Sequence, residues 1–261
     1  MRILILNCFI ILFSLANSVF AAGIGNSISP VGRHKATFSM EDNIVLDKPI
    51  RPTGDITNFD FDTINQTYGK ITFGMSNKVN LYAKLGASDV GTVKTRFTDH
   101  STTEVQANYG FLWGVGANGL LLEIYDGIML GTDVQYNSWQ ATVDNVVESG
   151  KDTIKERGRI RNNEFQAALF ATRKFSLGNK DVEFSPYIGG RFSYFNTRTL
   201  KTITYDTSSA HYQLSWNHNN KKHFGAILGA DLFLPRYCFQ LSLEGRFFDE
   251  TAITTGLSYK Y

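Results

Sequence analysis

Residues Phe239–Phe248 read FQLSLEGRFF. Phe239, Leu241, Leu243, Gly245 and Phe247 fall on one side of an extended chain, and Gln240, Ser242, Glu244 and Arg246 on the other. One side is apolar and the other polar. Residues sorted this way, with successive side chains on opposite faces, make a β-strand between two unlike surroundings.

The same sorting recurs upstream. In HFGAILGADLFL, Phe224, Ala226, Leu228, Ala230, Leu232 and Leu234 oppose His223, Gly225, Gly229 and Asp231. In VEFSPYIGGRFSYF, Val182, Phe184, Pro186, Ile188, Phe192 and Tyr194 oppose Glu183, Ser185, Tyr187, Gly189, Arg191 and Ser193. Ile128, Leu130, Val134 and Tyr136 oppose Gly131, Asp133, Gln135 and Asn137, and Val79, Leu81, Ala83 and Leu85 oppose Asn80, Tyr82, Lys84 and Gly86. A soluble sandwich also alternates. Here, however, the polar faces are rich in glycine and carry charge, while the apolar faces carry almost none. A soluble barrel turns its apolar face inward; a membrane barrel turns it outward to lipid and keeps small and polar residues inside.

Connection lengths give the second signal. The pattern predicts about ten strands: Lys35–Glu41, Gln66–Met75, Val79–Val90, Gln106–Ile124, Ile128–Thr142, Ile160–Lys174, Val182–Thr204, Lys222–Leu234, Cys238–Phe248 and Thr251–Tyr261. Short links at SNK, YDG, SLGNKD and PRY alternate with long polar ones at 43–63, 91–105, 144–158 and 205–221. Asp126-Gly127 suits a two-residue hairpin, with Asn118-Gly119 as a rival turn. On the long side only Asp249-Glu250 is short. An even strand count brings both ends of the chain to one side. The brief first strand is therefore kept, with an eight-strand barrel as the alternative.

The N-terminus supports export. Arg2 precedes the apolar run ILILNCFIILFSLA, and Val19 and Ala21 stand at the small-residue positions of a cleavage site. The expectation is a signal peptide over 1–21, cut after Ala21, and a barrel domain over 22–261. Cys8 would leave with the leader, so Cys238 would be the one cysteine of the mature chain and no disulfide could form within it. The chain has 26 Lys and Arg against 24 Asp and Glu, a balance that excludes nucleic-acid binding through a basic face. No cofactor or metal site is implied.

The last strand carries a further pattern: Thr254, then Gly256, then Tyr259 and Tyr261. Together with the alternating strands it resembles the outer-membrane β-barrel proteins of Gram-negative bacteria, a broad class that includes small porin-like members. The resemblance implies an all-β, antiparallel, up-and-down transmembrane barrel in the outer membrane, with the last strand paired to the first. It implies that Thr254, Gly256, Tyr259 and Tyr261 act as the signal read by the barrel assembly machinery. It also implies outer-membrane lipid and lipopolysaccharide as surroundings, with basic residues such as Lys155, Arg157, Arg159 and Arg161 available to lipopolysaccharide phosphates. Tyr259 and Tyr261 are expected at the periplasmic aromatic girdle, and Tyr136, Trp139, Tyr194 and Phe195 near the outer one.

The inward faces bring together Lys70, Lys84, Asp133, Glu164, Glu183, Arg191, Asp231, Glu244 and Arg246, joined by Lys260. The signs roughly balance. In a narrow barrel such charges are expected to pair into a plug, since an unpaired buried charge is costly. The first functional expectation is a structural or surface-interaction role. A small porin-like channel for ions or small polar solutes is the alternative, resting on the glycine-rich inner face. A rim hydrolase of the omptin type is the third, with Asp99, His100, Asp206, His211 and His218 as candidates; no nucleophile–base spacing supports it.

Overall fold

The computed structural model describes residues 31–98, 102–148, 157–178, 182–204 and 211–260. The expected leader, Asp99, His100, Asp206 and Tyr261 lie outside the described residues, as do the side chains of Arg157 and His211.

Among the described residues there are sixteen strands: β1 Ala36–Asp47, β2 Ile50–Arg51, β3 Ile56–Phe61, β4 Ile64–Gly74, β5 Val79–Asp89, β6 Thr92–Phe97, β7 Thr102–Asn108, β8 Gly110–Glu123, β9 Ile128–Glu148, β10 Arg157–Arg173, β11 Phe175–Leu177, β12 Val182–Thr204, β13 His211–Asn220, β14 Phe224–Leu234, β15 Phe239–Phe247 and β16 Thr251–Lys260. Ten of them, β1, β4, β5, β8, β9, β10, β12, β14, β15 and β16, pair antiparallel in that order. The ring closes where β16 meets β1, from Thr37 opposite Lys260 to Val45 opposite Ala252. This is an up-and-down antiparallel barrel of ten strands, and the eight-strand alternative falls.

The brief first strand is longer than expected. Alternation carries β1 through Asn43, facing in, and Val45, also facing in, to Asp47. The expected strand over 106–124 is two strands, β7 and β8, broken at Tyr109. At the turn end the links are tight. Asp126 and Gly127 both take left-handed backbone, at φ 67° and 72°, as a type I′ hairpin turn demands. Asn118 and Gly119 sit inside β8 instead, paired to Asp133 and Thr132.

The other end departs most from expectation. Where they are described, the four polar stretches there are largely strand. β7 pairs the upper part of β9, β6 pairs β7, and β3 pairs β6; on the other flank β13 pairs the upper part of β12, and β2 pairs β13. β9, β10 and β12 thus run up out of the barrel wall and are joined on both sides into an eight-strand cap sheet. The sheet curls until β2 lies against β3.

The cap inverts the barrel's chemistry. In the barrel, Leu85, Leu169, Ile188, Leu228 and Leu243 face outward and are more than half exposed, while Lys84, Asp133, Arg191 and Glu244 are buried inside. Higher on the same strands, Trp139, Val143, Ile160 and Phe195 face inward and pack with Ile56, Phe59, Phe61, Val93 and Val105 into an apolar core. The outward positions there are Arg161, Arg159 and Arg198. Polarity averaged over these stretches reads as loop. Their alternation is intact but turned the opposite way, as in a soluble sheet.

The change of sense also corrects two aromatic assignments. Tyr136 and Tyr194 are exposed on the outer wall, but Trp139 and Phe195 are 3% and 0% exposed in the cap core, with ring centroids 5.7 Å apart. Trp139 is three positions from Tyr136 and Phe195 one from Tyr194, and a strand turns side chains at odd offsets to opposite faces.

Candidate functional site

The barrel interior is a packed stack of polar side chains. Midway along it, Lys70 pairs with Glu41. Lys84 donates to the Tyr68 hydroxyl at 3.0 Å and to Gln135 at 2.5 Å, and its ammonium lies 4.8 Å from the centre of the Tyr68 ring. Gln135 donates in turn to Gln166 at 2.6 Å. The Tyr82 hydroxyl donates to Asp133 at 2.8 Å, and that of Tyr187 to Glu244 at 3.0 Å. Toward the turn end, Asp231 is buried near Lys260, whose ammonium rests 4.3 Å from the Phe233 ring centre, and Glu183 is half-buried there.

Toward the cap the charges condense. Arg191 grips Asp249 at 2.6 Å and Glu250 at 2.9 Å. Arg246 reaches Glu250 at 3.2 Å and Asn43, and Asn43 donates to Gln66 at 2.7 Å. Lys48 bridges Glu164 at 2.5 Å and Glu250 at 2.6 Å, while Ser193 donates to Glu164 at 2.8 Å. Lys48 also stands 4.6 Å from the centre of the Phe195 ring, so this cluster is the floor of the cap core. Burial favours a neutral Glu250, but Arg191, Lys48 and Arg246 outweigh it and hold this turn residue well below the ordinary carboxylate range.

Eight of the nine residues expected in the charge network are buried inside the barrel: Lys70, Lys84, Asp133, Glu164, Arg191, Asp231, Glu244 and Arg246. Glu183 sits at its edge. Sequence reasoning missed Glu41, Lys48, Asp249 and Glu250. Lys48 lay in an assumed loop. Asp249 and Glu250 were read as a bare turn, although a two-acid turn on an otherwise long-looped end was itself a signal.

The inner glycines have a specific use. A methyl group at Gly116 would overlap the Tyr82 ring, and one at Gly229 the Tyr187 ring; at Gly86 and Gly189 it would strike the backbone across the ladder and the side-chain roots of Tyr68 and Phe170. Gly116 and Gly229 are therefore covered by aromatic rings. Tyr68, Tyr82, Tyr187 and Phe170 are each 5% exposed or less.

Inside the cap, Trp139, Asn162, Thr197 and His218 form one cross-strand row over β9, β10, β12 and β13. All are 3% exposed or less. His218 packs 4.5 Å from Phe59, and its Nδ1 is 3.1 Å from the Thr53 hydroxyl. That hydroxyl donates to the Asn217 carbonyl at 3.0 Å, which leaves its oxygen to accept from a hydrogen on Nδ1. Burial pushes the His218 pKa down. His218, expected at a solvent rim, is in the core.

At the final strand, Thr254 is buried inward and Tyr259 is exposed outward, opposite both Phe38 of β1 and Phe239 of β15. The Tyr259 and Phe239 ring centroids are 5.3 Å apart, which makes an aromatic row at the turn end. Gly256 faces Ser242 and Glu41, and a methyl group there would have to displace the Ser242 hydroxyl. Among the described residues no group of His, Cys, Asp and Glu could hold a metal ion.

No family model matches the sequence, and no characterised protein matches it at a significant level. Several solved structures align with the chain over most of its length. The translocator domain of the autotransporter NalP from Neisseria meningitidis aligns at TM-score 0.46 and 8% identity, over 88% of this chain and 89% of that one. The outer membrane protease OmpT from Escherichia coli aligns at TM-score 0.48 and 10% identity, over 87% and 94%. The outer membrane protein OprG from Pseudomonas aeruginosa aligns at TM-score 0.44 and 8% identity, over 90% and 99%.

Proposed function

We propose that this ten-strand barrel is an outer-membrane protein with a closed, ion-paired interior, and that its work is done by the folded cap, which meets partners at the cell surface. The observation that carries the reading is the reversal of polarity along β9, β10 and β12. A wall apolar outside and charged inside suits lipid, and the same strands with charge outside and an apolar core suit water. The boundary falls just above Tyr136, Phe165 and Tyr194, which face outward in one row. The turn end, with Tyr259, Phe38 and Phe239, is then periplasmic. In this reading Thr254, Gly256, Tyr259 and Tyr261 present the strand label to the assembly machinery.

A channel would need a water path past the tyrosines and ion pairs of the interior, and Gly116 and Gly229, two of the glycines that suggested one, are covered. The rim-hydrolase alternative loses one candidate: His218, the one proposed rim residue with a described side chain, is buried under Phe59.

Two measurements test the proposal together. In whole cells a membrane-impermeant maleimide is expected to label Lys94→Cys, exposed on β6, and to leave the native Cys238 at the turn end unlabelled. Equal labelling of both would remove the orientation. In planar bilayers the purified protein is expected to show no conductance steps, and steady steps would replace the plug with the porin reading.

A further inference from the structure

The inward row of the cap, Trp139, Asn162, Thr197 and His218, is set among aromatic rings, with Phe195 against Trp139 and Phe59 against His218. Among the described residues, Trp139 Nε1, both amide atoms of Asn162 and the Thr197 hydroxyl are buried without a hydrogen-bond partner. Lower on the same strands, Gln135 of β9 and Gln166 of β10 bond each other directly. Buried polar atoms are normally paired, so several open ones on one face mark a place where another molecule supplies the partners.

The chemistry of the open atoms limits that molecule. Trp139 only donates, Asn162 both donates and accepts, and so does Thr197. No ion stands in the row. An anion would meet the Asn162 oxygen, and a cation the N–H groups. Hydroxyl groups donate and accept at once and fit all of them, and flanking rings suit the apolar faces of a sugar. The open atoms lie on three neighbouring strands, a span of about 10 Å at roughly 4.8 Å per strand, which suits one sugar ring.

The row is sealed in the closed cap, and one strand is placed to uncover it. β3 ends the sheet and has a ladder on one side alone, five pairs to β6 with a bulge between Ile56 and Asn58. Toward β13 it is held by side chains. Phe59 packs on His218, and Thr53 of the preceding link touches the His218 ring and the Asn217 carbonyl. Gly54, at φ 67° with nothing near it, gives that link a hinge.

We propose that the cap encloses a binding site for a neutral, hydroxylated small molecule of monosaccharide size, held by Trp139, Asn162 and Thr197 and admitted when β3 swings away from β13. The inference rests on the reading that the cap does the protein's work. The labelling and conductance measurements test that reading, and the measurements below test the site whichever way the cap faces.

The full protein in phosphatidylcholine vesicles is mixed with D-glucose or N-acetylglucosamine and followed by saturation-transfer NMR. Transfer to at least one sugar is expected, and none to glucose 6-phosphate, whose charge the row does not match. Asn162→Leu is expected to weaken sugar binding about tenfold or more, while β10 and β12 keep the amide protection of the parent. Thr197→Val, which keeps the side chain's shape, is expected to weaken it in the same direction. Arg96→Gln, exposed on β6, is expected to bind as the parent does. Thr53→Val removes the latch and is expected to speed amide exchange of β3 several-fold, and bound sugar to slow it in the parent. Absence of transfer to both sugars would leave water as the only partner of the row and overturn the proposal. So would equal transfer to glucose 6-phosphate, unchanged binding in Asn162→Leu and Thr197→Val, or loss of β10 protection in Asn162→Leu, which would mark a purely structural asparagine. Exchange of β3 that neither Thr53→Val nor sugar alters would overturn the entry route and the proposal with it.

Discussion

Lys48 and Glu250 are 202 residues apart in the chain and meet at 2.6 Å beneath the cap core. Glu164 completes the contact from β10. The three residues tie the first turn, the last turn and the middle of the barrel wall into one cluster. Lys48→Ala leaves Glu164 and Glu250 buried without their shared cation. It is expected to cost about 3–5 kcal/mol, read as a fall in the urea midpoint of the protein folded in lipid vesicles. A change within the range of an exposed pair, below about 1 kcal/mol, would show that the cluster is not a structural tie.

The reversal of polarity along β10 predicts opposite tolerance on one strand. Leu169→Arg puts a charge on the lipid-facing wall and is expected to cost about 2–4 kcal/mol, whereas Asn163→Arg, above the aromatic row, is expected to cost about 0–1 kcal/mol. The two variants are compared by equilibrium unfolding in the same vesicles. Equal costs would contradict the boundary placed at Phe165.

Gly229 is covered by the Tyr187 ring, which in turn donates to Glu244. Gly229→Val therefore displaces the ring and breaks that hydrogen bond. The expected loss is about 1–3 kcal/mol from overpacking, because the added side chain would overlap the Tyr187 ring. The same variant also probes the plug: if displacing Tyr187 opens a water path, intermittent conductance appears that the parent lacks.

His218 links protonation to the cap. Its pKa is lowered by burial in the folded state, so the unfolded state takes up the proton first, near the ordinary histidine value of about 6.5. Stability is thus full above that pH and falls as the pH drops through and below it. Between pH 7.5 and 5.5, amide exchange of β3 and β13 is expected to speed up relative to β4 and β5, and His218→Leu is expected to remove the difference. A pH response unchanged in that variant would assign it to other groups.

How much was legible follows from which face each residue shows. Leu241, Leu243, Glu244 and Arg246 announce a strand between two unlike surroundings, because alternation is a property of the local chain. Lys84, Asp133 and Arg191 were legible as inward charges for the same reason. Phe59, Phe61 and Val93 were hidden because their strands are short, shifted by a bulge between Ile56 and Asn58 in the pairing of β3, and set among polar residues. Lys48 and Glu250 were missed because nothing local tells which distant residue a turn residue pairs with, and Glu41 because it stood at the end of the brief strand expected over Lys35–Glu41.

The sequence by itself determined the barrel: the strand periodicity, the tight turns, the even strand count and the inward charges all follow from side-chain order along the backbone. Only the tertiary structure decided that Lys48, Glu164, Arg191 and Glu250 meet in one cluster, that the long connections form a cap sheet where they are described, and that Arg161 opposes Arg198. Those facts depend on register between strands, and a shift of one residue would turn every side chain to the other face. Register is settled by packing across the whole ring, so it is a property of the closed barrel and of no single strand.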